Sequence, residues 1–382
     1  MSRRLLLASD GFVGKIDPEY NYYVIKANST NKRLVTLQDY RAGDETEWDG
    51  ITDWGDGKKD NRLSHRYDDY GTFTIKTKYM INMVDVNSEV KGDINMREAI
   101  ISCQNINRNI TTAENLFYEC TNLTNINLES LRGLKLTSTK NMFYCCNKIK
   151  SLDLTMLDMS HVTNIARMFY CCFSLASLDM TGWDTSNVED MSYLFYYCQS
   201  LSPQVSALNT SNVRNMHRVF YQCKVNTVEI RDWDTSNVTN MSEMFYGDRG
   251  TRFDYTDIAN WDVSSVTNMN GMFYAANIQV GPDLSNWDVS NVINMGNMFY
   301  VGLSSQHANF SGWDVSKVTN MSGMFNKCKY EKQIIDISGW VLNKEETVNT
   351  RNMFKDIYSD VENHVIHDGV SEEDWIKMNE VK

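Results

Sequence analysis

The sequence predicts an α/β repeat solenoid, built of parallel strands plus short helices and preceded by a small all-β sandwich. Three observations predict it. A block beginning Trp-Asp-x-Ser-x-Val returns along most of the chain, and ten phenylalanines recur 25 to 29 residues apart. The stretch before the repeat alternates apolar and polar residues around an Asp-Gly turn.

The repeat is clearest from Trp183-Asp184-Thr185-Ser186-Asn187-Val188 through Met191, Leu194, Phe195 and Tyr196. It returns from Trp233 to Tyr246, Trp261 to Tyr274, Trp287 to Tyr300 and Trp313 to Phe325, with weaker copies starting at Leu157 and Leu208. The phenylalanines at 117, 143, 169, 195, 220, 245, 273, 299, 325 and 354 mark ten stacked units. Within a unit, Ser186 is placed to cap a helix, and Val188, Met191, Leu194 and Phe195 then fall on one helical face. A short apolar set follows, such as Leu123, Ile126 and Leu128, or Ile149, Leu152 and Leu154, whose last two residues alternate as a strand does. Gly182, Asp232, Asn260, Asn286, Gly312 and Gly339 precede the Trp positions, and all three residue types tolerate a left-handed turn there. One strand and one short helix per roughly 26 residues is the pattern of a leucine-rich-repeat solenoid, with ten parallel strands spanning roughly 50 Å.

The amino-terminal texture differs. Asp56-Gly57 is a hairpin signal, and Phe73, Ile75, Thr77 and Tyr79 alternate with polar residues as a half-buried strand does. Asp53 and Asp56 are turn chemistry before they are calcium ligands. The predicted organisation is an amino-terminal arm, attachment segment or extra strand over 1–30, the β-sandwich over 31–90, the repeats over 91–355 and a carboxy-terminal cap over 356–382.

Composition bounds the function. The chain has 382 residues, 42% of them hydrophobic, with a net charge of −12. That apolar content supports real cores and excludes wholesale disorder. The acidic balance speaks against a nucleic-acid partner, which requires a basic face. No apolar run approaches the roughly 20 residues of a membrane span. The nine cysteines and 21 methionines sit at fixed repeat positions. Cys120, Cys146, Cys172, Cys198, Cys223 and Cys328 each follow a repeat Phe by three residues, a ladder of small buried hydrophobes kept reduced. It does not have the paired spacing of a zinc site.

No chemistry stands out. The chain has no phosphate-binding glycine loop, nucleophile elbow or metalloprotease helix motif, so no enzyme, cofactor or catalytic residue is expected. His65 belongs to the amino-terminal motif, His161, His217 and His307 occupy variable repeat or loop positions, and His364 and His367 have no third ligand. The one candidate binding feature is a tyrosine stripe. A Tyr follows the repeat Phe at 118, 144, 170, 196, 221, 246, 274 and 300, and Tyr144, Tyr170, Tyr196, Tyr221, Tyr246, Tyr274 and Tyr300 form the candidate contact face. The competing reading is that these rings only shield the seam between units.

The repeat Trp-Asp-x-Ser-x-Val-x-Asn-Met-x-x-Met-Phe, over roughly 100–355, resembles the BspA-like leucine-rich-repeat surface proteins of bacteria. The string Trp54-Gly55-Asp56-Gly57, then His65-Arg66-Tyr67, then Gly71-Thr72-Phe73-Thr74-Ile75, resembles the PKD-type immunoglobulin-like domain. The resemblance implies extracellular binding or adhesion without catalysis. The start of the chain departs from it: the apolar run Leu5 to Ala8 is interrupted by Asp10, too short for an export signal. The expectation is therefore a phage-encoded virion structural or attachment protein of fibre type, assembled in the cytoplasm and displayed on the virion surface. Its partners would be other virion proteins or a host-surface ligand, and the chain would be a homo-oligomer. The alternatives are a bacterial surface adhesin and an intracellular scaffold. The virion reading predicts that mass spectrometry of purified virions from the source contains this chain; its absence there contradicts that reading.

Overall fold

The computed structural model describes residues 21–27, 34–36, 52–54, 56–60, 64–66, 68, 71–77, 100–104, 110–201, 205–223, 229–247, 258–276, 284–303, 307–328, 334–357 and 365–379. It is mostly non-helical, with small parallel sheets, and its architecture is compatible with a repeat solenoid.

The amino-terminal strands are β1 (Asn21–Ala27), β2 (Leu34–Thr36), β3 (Thr52–Asp53), β4 (Lys59–Asp60), β5 (Ser64–Arg66), β6 (Gly71–Thr77) and β7 (Ile100–Gln104). The Asp56-Gly57 hairpin forms as expected: β3 and β4 pair antiparallel, Asp56 accepts from the Lys58 amide, and Gly57 takes φ +89°. Trp54 and Ile75 are fully buried. Strand β1 lies between β6 and β7, antiparallel to both, so these residues of the expected arm or extra strand are a central strand of a six-stranded sheet. β2 and β5 pair in a separate two-stranded sheet.

Strand β7 is the junction. Its other edge pairs in parallel with β8 (Asn125–Ile126), the first strand of the repeat. Farther along, β9 (Ser151–Asp153) and β10 (Ser177–Asp179) run parallel, with Leu152 opposite Leu178. Near the end, β11 (His307–Asn309), β12 (Ile334–Asp336) and β13 (Val365–Ile366) do the same. A second column of parallel bridges links Ser138, Asn164, Asp190, Asn215, Asn240, Asn268, Asn294, Asn320 and Asn349, one residue per rung.

The short helix expected in each unit does not form. In its place runs a ribbon of tight turns with two left-handed residues, placed two before and two after the repeat Phe: Asn141 and Cys145 around Phe143, Arg167 and Cys171 around Phe169, Asn297 and Val301 around Phe299, all with φ of 55 to 57°. A positive φ every fourth residue breaks the α-helical bond pattern. Ser186 is accordingly no helix cap. Asp184 closes an Asx turn instead, accepting from the Ser186 amide at 3.1 Å. The left-handed residue expected before each Trp occurs at Gly182 and Gly339 only. Gly312 meets a different constraint: a Cβ there would lie 2.8 Å from the Ser285 carbonyl of the preceding rung.

The buried positions are those the repeat marks. Val188, Met191, Leu194 and Phe195 are each at most 1% exposed, as are their counterparts in the following rungs up to Phe325. The phenylalanine rings stack along the axis with centroids 5.5 to 6.0 Å apart. Each repeat Trp is buried, and its indole N–H donates to a carbonyl of the rung before, as Trp183 does to Leu154 and Trp233 to Val205. The cysteine ladder does likewise, Cys146 Sγ lying 3.1 Å from the Phe117 carbonyl and Cys172 Sγ 3.1 Å from that of Phe143.

The stack ends on α1 (Glu372–Asn379). Met378 is fully buried, Trp375 packs on Phe354, and Asp374 pairs with Lys344 at 2.7 Å. This covers the apolar face that the last rung would otherwise expose. Among the described residues, no helix is long and apolar enough to cross a membrane.

Two substitutions test the ladders. Phe195→Ala should lower unfolding free energy by about 3–5 kcal/mol in urea titration, because a buried ring leaves a cavity between two rungs. Trp233→Phe should cost about 1 kcal/mol, since it removes one of the two hydrogen bonds that the Val205 carbonyl accepts, the other coming from the Leu208 amide.

Candidate functional site

The tyrosine stripe follows from the ribbon. A Tyr one residue after the buried Phe points away from it, so the side chains form a second column outside the core. From Tyr118 to Tyr300 the rings stack with centroids 4.3 to 4.6 Å apart and planes within 18° of parallel. They are half-buried, their faces spent on one another and their hydroxyl edges outward. Burial pushes the phenols of Tyr144, Tyr170 and Tyr274 up to about 12, and those of Tyr196 and Tyr221 higher still. These five phenols are therefore neutral at physiological pH, in a row of hydroxyl donors and acceptors repeating at the rung spacing.

Beside the stripe, rungs three to five break their own pattern. At the left-handed position two before the Phe, most rungs carry Asn or Gly, but these carry Arg167, Tyr193 and Arg218. Together with Asn141, Tyr118, Tyr144 and Tyr170 they line a pocket of about 370 Å³. The Arg167 guanidinium lies 4.5 Å from the Tyr193 ring centroid. Arg218 makes a bidentate pair with Glu243 at 2.8 and 3.0 Å. His217, at a variable repeat position, is half-buried: its Nε2 lies 3.1 Å from the Tyr193 hydroxyl, and its Nδ1 contacts the Ser242 hydroxyl at 2.6 Å. Burial lowers its pKa, which keeps the imidazole neutral.

The other candidates are structural. Asp53 pairs with Lys59 at 2.8 Å and Asp56 is occupied by its turn. His161 is exposed and touches Ser160, while His367 stacks on Trp375 at 3.9 Å. His364 and the side chains of His65 and His307 lie outside the described residues. No group of three or more metal-ligating side chains occurs among the described residues. The Arg167–Tyr193–Arg218 cluster escaped the sequence reading, although its signal was present: four successive departures from Asn or Gly at one repeat position, the fourth being Glu243.

The buried thiols carry the pH response. Burial pushes Cys223 and Cys328 from their ordinary 9.0 up to about 12. A folded pKa raised above the unfolded one gives a stability present in full below pH 9 and lost as pH rises toward 12. Melting temperature should therefore hold to about pH 9 and then fall, and Ellman's reagent at pH 8 should react with the Cys223 and Cys328 thiols only after denaturation. Rapid native labelling of those two would contradict their burial.

Compared with known proteins, the chain matches the profile of a family described as "Mycoplasma protein of unknown function, DUF285" three times, over residues 78–178, 163–277 and 248–366. The overlapping matches cover about three quarters of the sequence. No curated protein and no solved structure matches the chain significantly.

Proposed function

We propose, from the premise that the chain belongs to the DUF285 family, that it is a non-enzymatic BspA-like surface repeat protein whose leucine-rich-repeat solenoid presents the tyrosine stripe to a protein partner. The observation that carries this reading is the stripe itself. Eight rings, from Tyr118 to Tyr300, stand in register on the outside of the stack, pre-ordered by stacking, so a partner would meet polar edges whose side-chain entropy is already lost. In this reading residues 1–30 and 31–90 form an anchoring module of PKD type, 91–355 the projecting repeat and 356–382 its cap. The virion setting read from the start of the chain has no counterpart in the family match, so a cell surface is the setting carried forward.

Two measurements test it. Protease added to intact source cells should digest the chain; full protection contradicts surface display. Changing Tyr246, Tyr274 and Tyr300 together to Phe keeps the ring stack and removes three hydroxyls. It should weaken capture of the partner cross-linked to the native chain by about tenfold while melting stays unchanged. Unchanged capture would return the stripe to a seam-shielding role.

A further inference from the structure

The pocket beside the stripe has a construction that ordinary repeat packing does not require. The column two residues before the repeat Phe is left-handed in every rung, and six of its ten positions are Asn or Gly: Asn115, Asn141, Gly271, Asn297, Gly323 and Asn352. These are the residues that adopt this backbone most readily. Four successive rungs break the rule with Arg167, Tyr193, Arg218 and Glu243, at φ of 53 to 57°. Side chains other than Asn and Gly hold this backbone elsewhere too, as Cys145, Gln222 and Lys327 do in the column two residues after the Phe, so what sets these rungs apart is which side chains they place in this column. The departures are also contiguous, and three of the four line one pocket.

Their charges are not equivalent. The Arg218 fork is filled by Glu243. Arg167, half-buried, has the Tyr193 ring under it and makes no ion pair or hydrogen bond through its guanidinium among the described residues. Tyr193 is held from the far side, where His217 bonds its hydroxyl and Arg218 lies 5.5 Å from its ring centroid. The pocket thus keeps one free, oriented fork on a rigid aromatic base, in a chain whose net charge is −12. The pocket is otherwise lined by Tyr118, Tyr144 and Tyr170 and by Asn141, whose side-chain oxygen is buried without a hydrogen-bond partner.

We propose that this pocket binds a carboxylate-bearing saccharide unit, its carboxylate in the fork of Arg167 and its hydroxyls against the tyrosine edges and Asn141. A guanidinium fork matches a carboxylate in two parallel hydrogen bonds. A single free cation suits a monoanion, and a phosphate dianion would call on both arginines. The hydroxyl-rich wall then selects a polyhydroxylated body over an acidic peptide side chain, and about 370 Å³ accommodates one sugar ring. The inference deepens the surface-protein reading and borrows from it only the outward face of the stripe.

The test titrates the full chain with glucuronic acid, glucose and acetate by ligand-observed NMR. Glucuronate should bind about tenfold more tightly than glucose or acetate, with affinity falling as salt is added. Arg167→Asn installs the residue the neighbouring rungs carry, so it should melt at or above the native temperature while weakening glucuronate about tenfold. Arg167→Gln repeats the comparison should the first variant unfold. Equal binding of acetate would make this a simple anion site, equal binding of glucose would remove any role for the charge, and an unchanged Arg167 variant would remove the fork; each overturns the proposal. The Tyr246, Tyr274 and Tyr300 to Phe variant leaves the pocket intact. Loss of partner capture there with glucuronate binding retained separates the stripe from the pocket.

Discussion

Along each turn ribbon, backbone N–H groups alternate between two tasks. In the rung of Phe195, Leu194, Tyr196 and Cys198 donate to the carbonyl three residues back, closing the turns. Met191, Tyr193, Phe195 and Tyr197 donate instead to Asn215, His217, Val219 and Tyr221 of the next rung. The same four-bond set joins every pair of successive rungs from Ala113 to Lys355, at 2.6 to 3.2 Å. Because these bonds fix the offset between rungs, every side-chain column stacks as a consequence. The phenylalanines, tyrosines and cysteines are ladders because the backbone is one.

The left-handed residues make this alternation possible. Without them the ribbon would close into an α-helix, every amide would be used inside its own rung, and the rungs would be held by side chains alone. The consensus residues secure what remains. Asn187 Nδ2 donates to the Ser160 carbonyl of the previous rung, Asn212 to Ser186 and Asn237 to Ser211, while Asn240 and Asn294 close Asx turns at the head of the ribbon. A hydrophilic composition with few aliphatic residues is thus compatible with a continuous core. Polar side chains satisfy the backbone of the turns, and the apolar ones fill a narrow, repeated set of places.

Much of this was legible in the sequence, and the gaps have physical causes. The period, the ten rungs, the buried Phe, Met, Val and Cys positions and the parallel strands follow from spacing, because burial in a stack repeats whatever each rung buries. The helix did not follow, since Val188, Met191, Leu194 and Phe195 bring the same residues to one face in a turn ribbon as in a helix. The discriminating signal lay between them: Asn or Gly recurring mid-segment, as at Asn141, Gly271, Asn297 and Gly323, in a place where a helix would disfavour it. The tyrosine column was visible from its spacing. The pocket was not, because Arg167, Tyr193 and Arg218 are ordinary residues whose meaning lies in the three-dimensional column they interrupt. Strand β1 escaped assignment as a central strand because its partners, β6 and β7, lie far along the chain.

Native-state hydrogen exchange tests the inter-rung ladder most directly. The amides of Phe169, Phe195, Phe220 and Phe245 should exchange only on cooperative unfolding, as those of a buried strand do, and protection should alternate with the turn-closing amides beside them. Uniform protection through Met191 to Cys198, the signature of a helix, or rapid exchange at the phenylalanine amides would contradict the account.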